Sequence, residues 1–210
     1  MISEKHLWAP TVDQVENSNM TRFAGDAGDR WGRNLGTYRS LHSWSVTEPD
    51  EFWRSIWDWT NVIGSGSLDS VVQNPDRVPG ARWFPNVTLN FAENLLRRRD
   101  NAPALIFRSE DKVKRTISYA ALYAQVARIA GALRDAGIEP GDRVCGFMPN
   151  MPETISAMLA AASVGATWSS CSPDFGVKGV LDRFGQIEPK VLFSADGYWY
   201  NGKAHDSLAK

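Results

Sequence analysis

The chain has 210 residues, 43% of them hydrophobic and 22% charged. That length buries a sizeable core, and the composition is ordinary for a globular protein. With 23 basic against 24 acidic residues, the net charge of −1 excludes the electrostatic pull that carries proteins to nucleic acid or anionic membranes.

Near the start, MISEKHLWAPTVDQ holds no apolar core of the kind a signal peptide needs, and no later stretch approaches the ~20 apolar residues of a membrane span. The expectation is a cytoplasmic protein that touches neither membrane nor nucleic acid. Residues 1–100 are aromatic-rich and read as a mostly helical and irregular segment. Trp8, Trp31, Trp44, Trp53, Trp57, Trp59 and Trp83 all fall there, and internal packing is the preferred account of so many large rings. Asp50 to Thr60, entered through Pro49, is predicted as a helix with Phe52, Trp53, Ile56 and Trp57 at three-and-four spacing. Ile63 to Pro79 is a connector. Thr88 to Arg99 is predicted as a helix whose last arginines, Arg97, Arg98 and Arg99, meet the negative end of the helix dipole.

Residues 101–210 are more regular. Ala104–Arg108 and Arg115–Ser118 are strands flanking a charged turn, hence a hairpin. Ser118 caps a helix through Asp135, with Leu122, Val126, Ile129, Ala130 and Leu133 as its apolar stripe and Gly137 at its exit. Then come a strand (Arg143–Met148), a helix from Pro152 to about Val164, a strand (Ala166–Cys171), a helix (Val177–Ile187) and a strand (Lys190–Ala195). Strands alternating with helices predict an α/β fold, a partial parallel sheet with crossover helices. Ligands of such sheets lie beyond the carboxyl ends of the strands. The candidate ligand edge is therefore Pro149–Glu153, Ser172–Val177 and the loop Asp196–Lys203.

No self-contained chemical machinery is visible. Gly64-Ser65-Gly66-Ser67 lacks the lysine of a phosphate-binding loop, and no serine has a nucleophile-elbow frame. Cys145 and Cys171 lie in apolar segments and read as small buried thiols. His6, His42 and His205 are isolated, so no metal site is expected.

Certain blocks go further. They are Leu7-Trp8-Ala9-Pro10, Arg82-Trp83-Phe84-Pro85, LNFAENLL at 89–96, Met148-Pro149-Asn150, GATWSSCSPDFG at 165–176 and DRFGQIEPK at 182–190. Together they resemble the adenylate-forming acyl-CoA synthetases, close to the acetyl-CoA synthetase branch. The WSSCSPDFG and DRFGQIEPK blocks favour the acetoacetyl branch over the acetyl one. The resemblance implies that residues 101–210 are the first part of a large adenylate-forming domain, and residues 1–100 the cap segment of acetyl-CoA-synthetase-like enzymes.

It further implies a reaction in which Mg2+ and ATP activate acetoacetate as an acyl-adenylate, which coenzyme A then takes up. The phosphate loop, nucleotide pocket and mobile lysine of such enzymes match no position up to Lys210. The chain is therefore expected to be an N-terminal fragment, inactive alone and binding none of these cofactors tightly, with no catalytic residue named. In acetyl-CoA synthetases two arginines, separated by two intervening residues, approach the phosphorylated nucleotide end of coenzyme A. By resemblance, Tyr200, Asn201, Gly202 and Lys203 occupy those four positions; Lys203 keeps a point charge and Tyr200 does not replace an arginine. Asp174 either pairs with Arg183 or, with Ser172 and Pro173, caps the following helix. A ligase for another short acid such as acetate, and a non-catalytic interaction module, are the competing readings.

Overall fold

The computed structural model describes residues 7–208. They form two compact units divided between Leu89 and Asn90.

In the first unit, hydroxyls begin the helices. Thr11, Ser18 and Thr37 accept the backbone N–H of Gln14, Thr21 and Ser40, starting α1 (Val12–Glu16), α2 (Asn19–Trp31) and α3 (Tyr38–Thr47). Pro49 opens α4 (Pro49–Trp59), the helix predicted at this place. Phe23, Ala27, Leu41 and Trp44 are buried together, with Phe52, Ile56 and Trp59 against them. Their rings meet edge to face, Trp44 with Phe52 at 5.5 Å and Phe23 with Trp59 at 5.9 Å, the arrangement that ring quadrupoles favour. Two indole N–H groups find acceptors at 2.8 Å, Trp44 in Glu51 Oε2 and Trp31 in Ser55 Oγ. Internal packing thus accounts for Trp31, Trp44 and Trp59, while Trp8 is exposed. The expected connector holds β1 (Ser65–Gly66) and β2 (Val72–Gln73); β3 (Arg82–Trp83) pairs with β2, and β4 (Val87–Thr88) with β1.

The second unit begins with a helix shorter than predicted. α5 runs only over Phe91–Leu95, and Asn90 caps its start. The Asn90 side-chain oxygen accepts from Glu93 N–H at 3.1 Å, and its amide donates to the carbonyls of Ala162 and Ser163. Two of the arginines beyond it have other partners. Arg98 donates to Asp100 at 2.7 Å and lies over the Tyr119 ring; Arg99 lies 3.9 Å from the centroid of Tyr123. Tyrosine faces, not a helix dipole, hold these two charges.

β5 (Pro103–Ser109) and β6 (Val113–Ser118) form the predicted antiparallel hairpin. Ser118 accepts from Ala121 N–H and starts α6 (Tyr119–Asp135), which buries Leu122, Val126, Ala130 and Leu133. Gly137, at φ +76°, follows its end. β7 (Arg143–Phe147), α7 (Pro152–Ser163), β8 (Thr167–Cys171), α8 (Val177–Phe184) and β9 (Val191–Ser194) complete the α/β pattern. The sheet has the order β8-β7-β9, with β7 parallel to both neighbours.

Alternation along these strands builds two layers. Val144, Trp168 and Phe193 join the core containing α6 and α7. Cys145, Phe147 and Cys171 pack with Val180 and Phe184 of α8. α7 and α8 therefore cover opposite faces. Close packing depends on small residues: Ala160 and Ala161 are fully buried on α7, and a Cβ at Gly146 would stand 2.6 Å from the Trp168 ring.

The segment expected as a loop, Asp196–Lys203, is largely a hairpin. β10 (Gly197–Tyr200) pairs antiparallel with β11 (Lys203–Asp206), Tyr200 opposite Lys203. The turn between them is Asn201 at φ +51° and Gly202 at φ +71°. A two-residue hairpin turn with positive φ at both positions selects Asn-Gly, so these two residues have a backbone reason to be there. Among the described residues, no helix is long and apolar enough to cross a membrane.

Candidate functional site

The carboxyl ends of the three parallel strands lead into a cavity of about 600 Å³. Asn150 and Met151 follow β7, Ser172, Pro173 and Asp174 follow β8, and Tyr198, Trp199 and Tyr200 come from the hairpin after β9. All three predicted loops thus meet at one place. A fourth wall, Phe107, Glu110 and Arg115 of the β5–β6 hairpin, was not foreseen. Nothing in its local sequence marks it, because the approach is made by residues distant along the chain.

Hydrogen bonds tie the walls together. Tyr198 Oη donates to Asp174 Oδ1 at 2.7 Å, and Ser172 Oγ donates to Asp174 Oδ2 at 2.9 Å. The Asp174 carboxylate therefore joins the loop after β8 to the hairpin after β9, and it holds the Tyr198 hydroxyl protonated above its ordinary range. Gly202 N–H donates to Glu110 Oε2 at 3.0 Å, which joins the tips of the two hairpins. Arg115 makes a bidentate pair with Glu153 in the first turn of α7, at 2.6 and 2.8 Å. That pair, above all the guanidinium hydrogen bonds, holds the Glu153 carboxyl below its usual range.

Of the residues singled out in the sequence, Tyr200 lines the cavity. Asn201 and Gly202 form the turn beside it, and Lys203 is exposed opposite Tyr200. Asp174 is engaged by the two hydroxyls, while Arg183 lies 4.0 Å from the Phe175 centroid and donates to the Gly179 carbonyl. The N-cap of α8 is Gly176, with no side-chain cap hydrogen bond, which corrects the capping reading of Ser172-Pro173-Asp174. Cys145 and Cys171 are buried, and desolvation pushes both thiols up. His6 lies outside the described residues, and His205 stacks on Tyr198 at 5.1 Å. Among the described residues no group of His, Cys, Asp and Glu suits a metal ion.

Residues 91–209, more than half of the chain, match the AMP-binding enzyme family. The chain belongs to this family. Residues 38–95 match a second family, acetyl-coenzyme A synthetase N-terminus. Acetoacetyl-coenzyme A synthetase of Rhizobium meliloti (strain 1021) is 53% identical over 210 residues, 100% of this chain and 32% of the relative. Acetoacetyl-CoA synthetase of Mus musculus is 42% identical over 209 residues, 97% of this chain and 30% of its own length. A solved acetoacetyl-CoA synthetase from Streptomyces lividans superimposes with a TM-score of 0.89 at 44% identity, covering 96% of this chain and 32% of that one. The chain thus spans about a third of the length of these AMP-binding relatives.

Proposed function

We propose that this chain forms the N-terminal part of an acid–CoA ligase that converts acetoacetate, ATP and coenzyme A into acetoacetyl-CoA, AMP and diphosphate through an acyl-adenylate. Within it, the cavity at the strand ends receives the phosphorylated nucleotide end of coenzyme A, with Tyr200, Asn201, Gly202 and Lys203 at its margin. The observation that carries this reading is the convergence of all three strand-end loops and the β5–β6 hairpin on one aromatic-walled cavity of about 600 Å³, in a chain of the AMP-binding family. Such sites combine apolar walls with a few placed polar groups.

The described residues assemble no metal cluster, and the sequence holds no lysine-bearing phosphate loop. Because the chain spans about a third of its relatives' length, the proposal assigns Mg2+ and ATP to other parts of the ligase and holds this chain inactive alone. Its share of the work is to bind and orient the thiol donor far from its reacting end, where binding energy goes into positioning. A cytoplasmic location goes with the proposal; Cys145 and Cys171 are unbridged, as a reducing compartment keeps thiols.

The test is the coupled formation of acetoacetyl-CoA by the complete ligase and its Lys203→Ala variant. The Michaelis constant for coenzyme A rises in the variant if Lys203 meets a phosphate, and an unchanged constant removes that contact. Acetoacetyl-CoA made by the 210-residue chain unaided would overturn the inactivity.

A further inference from the structure

Asn201-Gly202 is the one place in the sequence where glycine follows asparagine. Asparagine is among the thermolabile residues, and this pair is the most reactive setting for it. The backbone nitrogen after an asparagine, once it loses its proton, attacks the side-chain carbonyl carbon. The new carbon–nitrogen bond closes a cyclic imide and the side-chain amide leaves as ammonia. Water then opens the ring to aspartate or to isoaspartate, with no change of oxidation state. Glycine puts no Cβ in the path of that attack. Both residues are exposed, and even a Cβ built at Gly202 would meet nothing within 4 Å.

Two features of the fold oppose the reaction. Asn201 is left-handed, at φ +51°, a conformation in which ψ lies near about +47°. That rotation turns the Gly202 nitrogen away from the Asn201 Cβ, so the ring cannot close until the turn unwinds. The same nitrogen is also held from outside the turn. Gly202 N–H donates to Glu110 Oε2 at 3.0 Å, a hydrogen bond of the stronger, charge-assisted kind. The carboxylate keeps the proton on the nitrogen that must lose it, and it ties the turn to the tip of the β5–β6 hairpin.

Conversion would undo both features. The β10–β11 pairing runs up to the turn, with Tyr200 opposite Lys203. Isoaspartate carries the backbone through one extra atom, which a two-residue turn does not accommodate. Either product also places a negative charge next in sequence to the amide that Glu110 holds.

We propose that Asn201 is a deamidation site kept closed by Glu110, and that its conversion releases the β10–β11 turn from the β5–β6 hairpin. The proposal does not depend on what the cavity binds.

The experiment is peptide mapping by mass spectrometry of the complete ligase aged at mildly alkaline pH, following amide-to-acid conversion and isoaspartate at Asn201. The folded ligase converts Asn201 slowly and the urea-unfolded ligase fast. Glu110→Ala speeds conversion in the folded protein about tenfold, the scale of one hydrogen bond to a charged group. Glu110→Gln keeps an acceptor and speeds it about threefold. Asn17, followed by Ser18 in the first unit, converts at one rate in all three proteins and reports an intact fold. Equal rates at Asn201 in the wild type and both Glu110 variants overturn the guarding role, and so does acceleration at Asn17 by the same factor, which is general unfolding. A folded wild type that converts Asn201 as fast as the unfolded ligase overturns the closed site. In the converted fraction, amide exchange quickens at 109–112 and 198–203; unchanged exchange there overturns the release.

Discussion

The two units solve the burial problem in different ways. The first packs helices through rings, with Phe23, Trp44, Phe52 and Trp59 meeting edge to face and indole N–H groups bonded to Glu51 and Ser55. The second packs small residues and β-branched strands, with Ala160, Ala161 and Val144 fully buried between α7 and the sheet. Ring packing depends on a few large side chains that must each find partners. Sheet packing is spread over many small contacts, so its strand ends are free to carry loops. The candidate site lies at those loop-bearing ends, not among the tryptophans that dominate the composition.

The sharpest way to break this contrast is Trp44→Ala. Removing a buried ring that also satisfies Glu51 lowers the unfolding free energy by about 3–5 kcal/mol, read as a fall in the denaturant midpoint. A loss below about 1 kcal/mol means that the rings do not hold the first unit. In the second unit the vulnerable point is a missing side chain. Gly146→Ala forces a methyl against the Trp168 ring, at 2.6 Å in the unrelaxed geometry, and costs about 1–3 kcal/mol. A neutral result would show that the ring moves aside freely.

How much of this was legible in the sequence follows the same division. α6 and the strands from Arg143 onward were visible because alternation and three-and-four spacing are periodic signals. α2 was not placed, since Gly25 and Gly28 sit inside it; Gly28 is there because the Arg33 carbonyl passes where a Cβ would be, 2.8 Å away. The β10–β11 hairpin was readable in Tyr200-Asn201-Gly202-Lys203, an Asn-Gly pair between strand-forming residues. Resemblance to the arginine-bearing turn of acetyl-CoA synthetases drew the reading to phosphate contacts first. Trp199, Glu110 and Phe107 could not be gathered from the sequence, because only the fold brings the two hairpins together.

Two smaller effects sharpen the comparison at the site. Arg115 holds the Glu153 carboxyl below its ordinary value, so the pair stabilises the fold fully above the unfolded value of about 4.3 and loses its contribution as pH falls through the lower folded value. With side chains 39% and 33% exposed, solvent screens the pair, and Glu153→Gln costs about 1 kcal/mol or less at pH 7. Stability measured against pH shows a shallower acid limb in the variant, and an unchanged limb removes the pair from the balance. Tyr198→Phe has the smallest expected effect. The hydroxyl bonded to Asp174 is raised above its usual range, so its contribution is complete below about pH 10 and fades as pH rises through the folded value. The variant flattens that alkaline limb, and identical limbs would mean that the bond does not join the loop after β8 to the hairpin.

Hydrogen–deuterium exchange of the complete ligase with and without coenzyme A tests the central claim most directly. The account predicts slowed exchange on binding in four stretches, 109–112, 149–151, 172–174 and 197–203, with the β8-β7-β9 strands unchanged. Coenzyme A bound at saturation with no slowing in those stretches would contradict it.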